Sequence, residues 1–232
     1  MHFQFSIYIL SITMLLSILT VAPVSVSAAE ESQVGESVAL FNYKVLDNGT
    51  IRIDTYNGTD TNVTIPSTLD GYTVTELGKL IFDGNTELQS VTLPDTLTAV
   101  GSTAFNGCTS LQSISLPNSI TSLGEKAFYG CYQLSSAKLS DSMQSIPDYA
   151  FYQCNNLQSV MIPGSVTDIG KFAFYQCCQL QSVIIPDSVV SIGDDAFEYC
   201  SNLNSIKLSS SLTSIGYNAF CGCNSCSIYH QC

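Results

Sequence analysis

The sequence predicts an α/β solenoid: a coil of near-identical turns, each with one short parallel strand and one short helical turn, closed at its N-terminal end by a β-hairpin. Three observations predict it. Phe82, Phe105, Phe128, Phe151, Phe174, Phe197 and Phe220 recur every 23 residues. Around them a phrase recurs in phase: an Ala before the Phe from the second copy on, a Cys three residues after it (Asn85 in the first copy), and a Leu six after it in the first six copies. A fixed period in the twenties marks stacked repeats, in which no unit buries its own apolar face and neighbours do so together. The third observation is Asn48-Gly49 between two alternating segments ahead of the first copy. Asn-Gly supplies the left-handed backbone that a tight hairpin turn wants.

Taken in order, residues 5 to 22 are an apolar run followed by Pro23 and by Val26-Ser27-Ala28-Ala29. A hydrophobic core before small residues reads as a secretory signal, here residues 1–28; an uncleaved anchor helix is the alternative. Residues 29–63 read as an acidic lead and the hairpin cap, in which Phe41, Tyr43, Val45, Ile51 and Ile53 alternate with polar residues. The coil occupies 64–223. Its first turn is irregular, with extra residues around Asp70-Gly71-Tyr72 that read as a loop.

In each regular turn, a segment such as Leu111-Gln112-Ser113-Ile114-Ser115-Leu116 carries a strand in which Ile114 and Leu116 share a face. Pro94, Pro117, Pro163 and Pro186 close four strands, since Pro lacks the N–H the ladder needs; Ser140 and Ser209 stand there in two others. A Gly that allows a sharp turn follows, replaced once by Pro147, and Ala-Phe then falls on the helical turn. Phe151 and its equivalents point inward.

The cysteines fall into two groups that share Cys223, with Cys178 outside both. Six occupy one column, which suits small buried thiols, although bridges between rungs remain geometrically open. Residues 224–232 read as a Cys-rich C-terminal cap, tied by disulfides among Cys221, Cys223, Cys226 and Cys232; a zinc site with His230 is the alternative.

The repeated unit A-F-x-x-C-x-x-L-x-S-[IV]-x-[LI]-P-x-S-[IV]-x-x-[IL]-G resembles the BspA-type leucine-rich repeat over roughly residues 64 to 223. The resemblance implies a leucine-rich-repeat coil and a broad role in surface binding, with adhesion to host proteins, other cells or extracellular matrix. It carries no catalytic residue.

Solvent-facing strand positions form the concave sheet in repeats of this kind. One such column is Ser throughout, from Ser90 to Ser205; the next is Thr92, Ser115, Lys138, Met161, Ile184, Lys207. The pair Met161–Ile184 framed by Lys138 and Lys207 reads either as ordinary strand surface or as an apolar docking spot. Tyr129, Tyr152 and Tyr175 form a second stripe, read either as a lid over the Phe column or as stacked faces that suit sugar rings and peptide side chains.

Composition excludes other classes. The net charge is −12 and the pI near 4.2, so nucleic acid and anionic lipid are repelled. The only histidine beyond the signal is His230, and no glycine-rich phosphate loop occurs. Asp194 and Asp195 are adjacent and point apart. No enzyme activity and no cofactor are expected. Asn48, Asn57 and Asn62 each begin an Asn-x-Thr triplet, relevant to glycosylation only in a eukaryotic host. The expected partners are extracellular or host-surface proteins, with glycans as a further class, and the expected place is outside the cell or on its surface. A structural protein stacking through its strand edges is the alternative.

Overall fold

A computed structural model describes residues 40–223. The signal-like run, most of the acidic lead and residues 224–232 lie outside the described residues. The chain opens with the hairpin β1 (Phe41–Val45) and β2 (Ile51–Tyr56), followed by β3 (Asn62–Thr64), β4 (Thr68–Leu69) and β5 (Tyr72–Leu77). From there a three-residue strand and a two-residue strand alternate. They are β6 (Ser90–Thr92), β7 (Ala99–Val100), β8 (Ser113–Ser115), β9 (Ser122–Leu123), β10 (Ser136–Lys138) and β11 (Ser145–Ile146). The series ends with β12 (Ser159–Met161), β13 (Asp168–Ile169), β14 (Ser182–Ile184), β15 (Ser191–Ile192), β16 (Ser205–Lys207) and β17 (Ser214–Ile215).

The three-residue strands join with β3 into one parallel sheet, in the order β16-β14-β12-β10-β8-β6-β3. The two-residue strands form a second wall, and the Ala-Phe segments close each turn on a third side. Inside, the seven phenylalanine rings stack at 5.0 to 5.3 Å between centroids, near parallel along the column. All seven are buried. The hairpin extends this column: Tyr56 lies 5.4 Å from Phe82, and Phe41 lies 5.5 Å from Tyr56. With Ile51 and Ile53 fully buried, it covers the end where an open coil would expose its core.

The described residues contain no helix, which corrects the expected helical turn and makes the coil all-β. The reason lies in the backbone. Each Ala-Phe segment holds two left-handed residues, such as Lys126 (φ 58) and Gly130 (φ 68), or Tyr149 (φ 59) and Gln153 (φ 58). A left-handed residue turns its N–H out of the helical direction. The N–H groups of Lys126, Phe128 and Gly130 accordingly donate to the carbonyls of Asp148, Ala150 and Tyr152 in the next rung. A helix would have spent these donors within its own segment.

Three further expectations change. Asp70 (φ 50) and Gly71 (φ 83) make a two-residue turn, and β4 pairs antiparallel with β5, so the irregular first turn holds a tight hairpin in place of a loop. The Gly column is not needed for a sharp turn. A Cβ at Gly124 would sit 2.2 Å from Ser102 N and one at Gly216 2.3 Å from Asp194 N, so glycine is required by close approach of the preceding rung. Ser140 and Ser209 also do more than replace Pro. Each buried hydroxyl donates to a carbonyl of the preceding rung, Ile120 at 2.6 Å and Val189 at 2.7 Å, and accepts an N–H two residues on, from Ser142 and Ser211.

Pro147 leaves its own mark. The short-strand wall divides into β1-β2-β5-β7-β9 and β11-β13-β15-β17, and the division falls between Leu123 and Ile146. At every other junction between regular turns the Gly N–H donates across the rungs, as from Gly124 to Val100 and from Gly170 to Ile146. Proline has no N–H to give Leu123.

Candidate interaction surfaces

The strand pattern positions the first surface. In each three-residue strand the middle residue points inward, and its neighbours face water. Parallel pairing in register sets Lys138 against Met161 and Ile184 against Lys207, so Lys138, Met161, Ile184 and Lys207 form one file across four adjacent strands. Met161 is 81% exposed and Ile184 63%. Neither lysine takes part in the ion pairs of the described residues, which are Arg52–Asp54 and Lys171–Asp194.

Two features beside this file were not read from the sequence. Lys138 borders a shallow depression of about 430 Å³ whose other walls include Thr92, Asp95, Ser115, Pro117 and Asn118. On the rung of Met161, the column Asp95, Asn118, Asp141, Asp187, Ser210 is interrupted by Gly164. A Cβ there would meet nothing within 4 Å, and its φ is not left-handed, so neither space nor backbone demands glycine. It borders open space. The signal that would have found it is a glycine in a column otherwise polar.

The tyrosine stripe assembles as a ladder. Tyr129 and Tyr152 stack at 4.5 Å, and Tyr152 and Tyr175 at 4.7 Å, within 6° of parallel. Tyr149 and Phe172 form a parallel second stack at 4.9 Å, and Lys126 Nζ lies 5.1 Å from the Tyr149 ring. Burial raises the Tyr152 phenol above its ordinary pKa. The faces of Tyr152 are therefore covered by its own neighbours, and it offers its edge to solvent, not the open face that sugar stacking uses. Sequence spacing identified the stripe, but the ring orientation depends on the rung separation.

The cysteine column is a thiol ladder. Cys108, Cys131, Cys154, Cys177 and Cys200 are fully buried thiols. Each donates from Sγ to the phenylalanine carbonyl of the preceding rung, at 3.1 to 3.3 Å. Cys223 continues the series towards Phe197. Burial pushes the Cys108 thiol up to about 12 and the next four well above their ordinary value. Cys221 is disulfide-bonded; Cys226, Cys232 and His230 lie outside the described residues. No group of metal-ligating side chains is assembled among the described residues.

Comparison with known proteins fits this architecture. The family described as BspA type leucine rich repeat region (6 copies) matches residues 50–177 and 167–231. The chain belongs to the BspA-type leucine-rich repeat family. Among solved structures, this BspA-type protein is similar to a leucine-rich cell surface protein of Faecalibacterium prausnitzii, at 31% identity and TM-score 0.70, covering 84% of this chain and 54% of that one. A leucine-rich repeat protein of Eubacterium ventriosum matches at 25% identity and TM-score 0.69, covering 82% and 52%. The leucine-rich repeat protein of T. pallidum matches at 28% identity and TM-score 0.55, covering 82% and 90%. The BspA-type chain thus spans about half the length of the first two. None of the curated proteins compared with it matches. No helix among the described residues is long and apolar enough to cross a membrane.

Proposed function

We propose that this protein is a secreted or cell-surface binding module, non-catalytic, that adheres to extracellular or host-surface proteins through the outer face of its seven-stranded sheet. The observation that carries the reading is the exposure of Met161 and Ile184 side by side between two lysines that form no direct ion pair among the described residues. Large apolar side chains held together in water are a cost that a docking partner removes. The cell-surface description of the F. prausnitzii relative supports the location. Glycans are the weaker class of partner, because the tyrosine ladder keeps its ring faces to itself.

The test compares the full chain with Met161→Ser/Ile184→Ser on immobilised extracellular-matrix and surface proteins. Binding lost with an unchanged circular dichroism spectrum and melting temperature supports the reading; equal binding by both proteins rejects it. A second reading is end-to-end self-assembly. It draws on β3, which ends the seven-stranded sheet with one edge unpaired among the described residues. Light scattering that shows concentration-dependent growth would favour it.

A further inference from the structure

We propose that the file Lys138–Met161–Ile184–Lys207 takes an extended polypeptide segment of the pattern acidic–x–apolar–x–acidic, laid across the strands. The proposal rests on the reading of this sheet as a protein-docking face and adds the chemistry and spacing of what docks.

The argument is one of register. Adjacent rungs lie ~4.8 Å apart, so Lys138 and Lys207, three rungs apart, project from points separated by ~14 Å, with Met161 and Ile184 at ~5 and ~10 Å along the line. An extended chain advances ~3.4 Å per residue and sends alternate side chains to one face. Residues i and i+4 of such a chain therefore stand ~14 Å apart on that face, and residue i+2 falls ~7 Å along, midway between Met161 and Ile184. Two carboxylates reach the lysines while one apolar side chain sits over the Met–Ile pair.

Charge and clearance agree with this occupant. The nearby carboxylates are engaged on their own side. Asp187 accepts from the Ser210 backbone N–H at 2.8 Å and its hydroxyl at 3.0 Å, and Asp141 accepts from the Asn118 amide at 3.0 Å. Lys207 also attracts Asp187 at longer range, but neither lysine is in a direct ion pair among the described residues, so both ammonium groups can meet an incoming acid. The depression beside Lys138 gives one carboxylate room, with Asp95 also on its wall. The small, exposed Ser159 and Ser182, on the same strands as Met161 and Ile184, leave space for the segment's backbone. A polyanion finds only two cations here on a chain of net charge −12, which argues for a short acidic peptide and against nucleic acid or a sulfated glycan.

The test titrates labelled Glu-Thr-Leu-Thr-Glu, its isomer Leu-Thr-Glu-Thr-Glu, and Lys-Thr-Leu-Thr-Lys into the full chain. The first should bind at least about tenfold more tightly than the other two, and more weakly as salt is added. The variant Lys138→Glu/Lys207→Glu, both positions being exposed, should reverse the preference in favour of the lysine peptide. Equal binding of the two glutamate isomers, an unchanged preference in the double variant, or binding of heparin in place of the peptide overturns the proposal. If no peptide binds while the full chain still captures matrix protein through Met161 and Ile184, this pattern is wrong and the docking face stands.

Discussion

Cys154 shows how a single atom is placed by repetition. Its Sγ lies 3.2 Å from the Phe128 carbonyl, in a site with no exposure, and its neighbours repeat the contact above and below. Such a thiol ionises only at great cost, whereas in the unfolded chain it ionises near 9. The folded pKa is raised, so stability is complete below about pH 9 and is lost as pH rises through the window up to about 12 set by Cys108. Between about pH 9 and its folded value, each buried thiol should remove about 1.4 kcal/mol per pH unit. Urea unfolding under reductant at neutral pH and at about pH 10 would measure it, and Cys154→Ser should lower the slope by one thiol's share. Under native conditions iodoacetamide should modify the half-buried Cys178 well before the column, read by mass. Phe151→Ala should cost about 3–5 kcal/mol through a cavity in the ring stack, seen as a lower urea midpoint. The sequence made the column readable as a place for a small group accepting Cys or Asn. It did not reveal why Asn85 opens it. The first copy has no earlier phenylalanine carbonyl to receive a thiol, and Asn85 Oδ1 instead accepts the N–H groups of Glu87 and Leu88.

Elements were legible to differing degrees, for reasons of period. The three-residue strands repeat with alternation inside each turn, and the hairpin carries Asn-Gly, so both are legible in the sequence; the two-residue strands, a second strand in each turn where one was expected, are too short to show an alternation. The Ala-Phe segment carries only half such a signal. Its second left-handed position is Gly in four copies (Gly84, Gly107, Gly130, Gly222), but the first is filled by Leu80, Thr103, Lys126, Tyr149, Phe172, Asp195 and Asn218, of which only the last two are residues that favour this conformation. Rung-to-rung hydrogen bonds, which are tertiary, overrule local preference there. Pro147 has a consequence at this scale. The amides of Gln144 and Ser145 should exchange with solvent faster than those of Thr167 and Val190, which donate to Gln144 and Thr167 in the preceding rungs. Hydrogen exchange by mass spectrometry checks this. In Pro147→Gly the new amide should be protected, because the Leu123 carbonyl then has its donor.

Across the molecule the core is a sum of neighbour contacts, so the ends matter most. The hairpin contributes Phe41, Ile51, Ile53 and Tyr56 to the first turn. Deletion of residues 41–56 should expose Val74, Leu77 and Phe82 and give a protein that aggregates, measured by size-exclusion chromatography. The whole coil, its period and its first strands followed from seven phenylalanines in phase. Of the candidate surface, the file Lys138–Met161–Ile184–Lys207 was legible because strand alternation fixes which residues face out. The depression beside Lys138 was not, since it belongs to three strands at once, and neither was the orientation of the tyrosines.

The interchangeability of the turns sets a problem of counting. A nascent chain could thread one copy out of frame and still place phenylalanine on phenylalanine, leaving a whole copy looped out. What penalises that error is the handful of residues that refuse to repeat. Asn85 offers no S–H to a rung below it, Pro147 cannot donate where glycine does, and the hydroxyls of Ser140 and Ser209 donate to the Ile120 and Val189 carbonyls where other turns carry proline. These irregular positions act as index marks, letting a periodic chain know where along itself it stands.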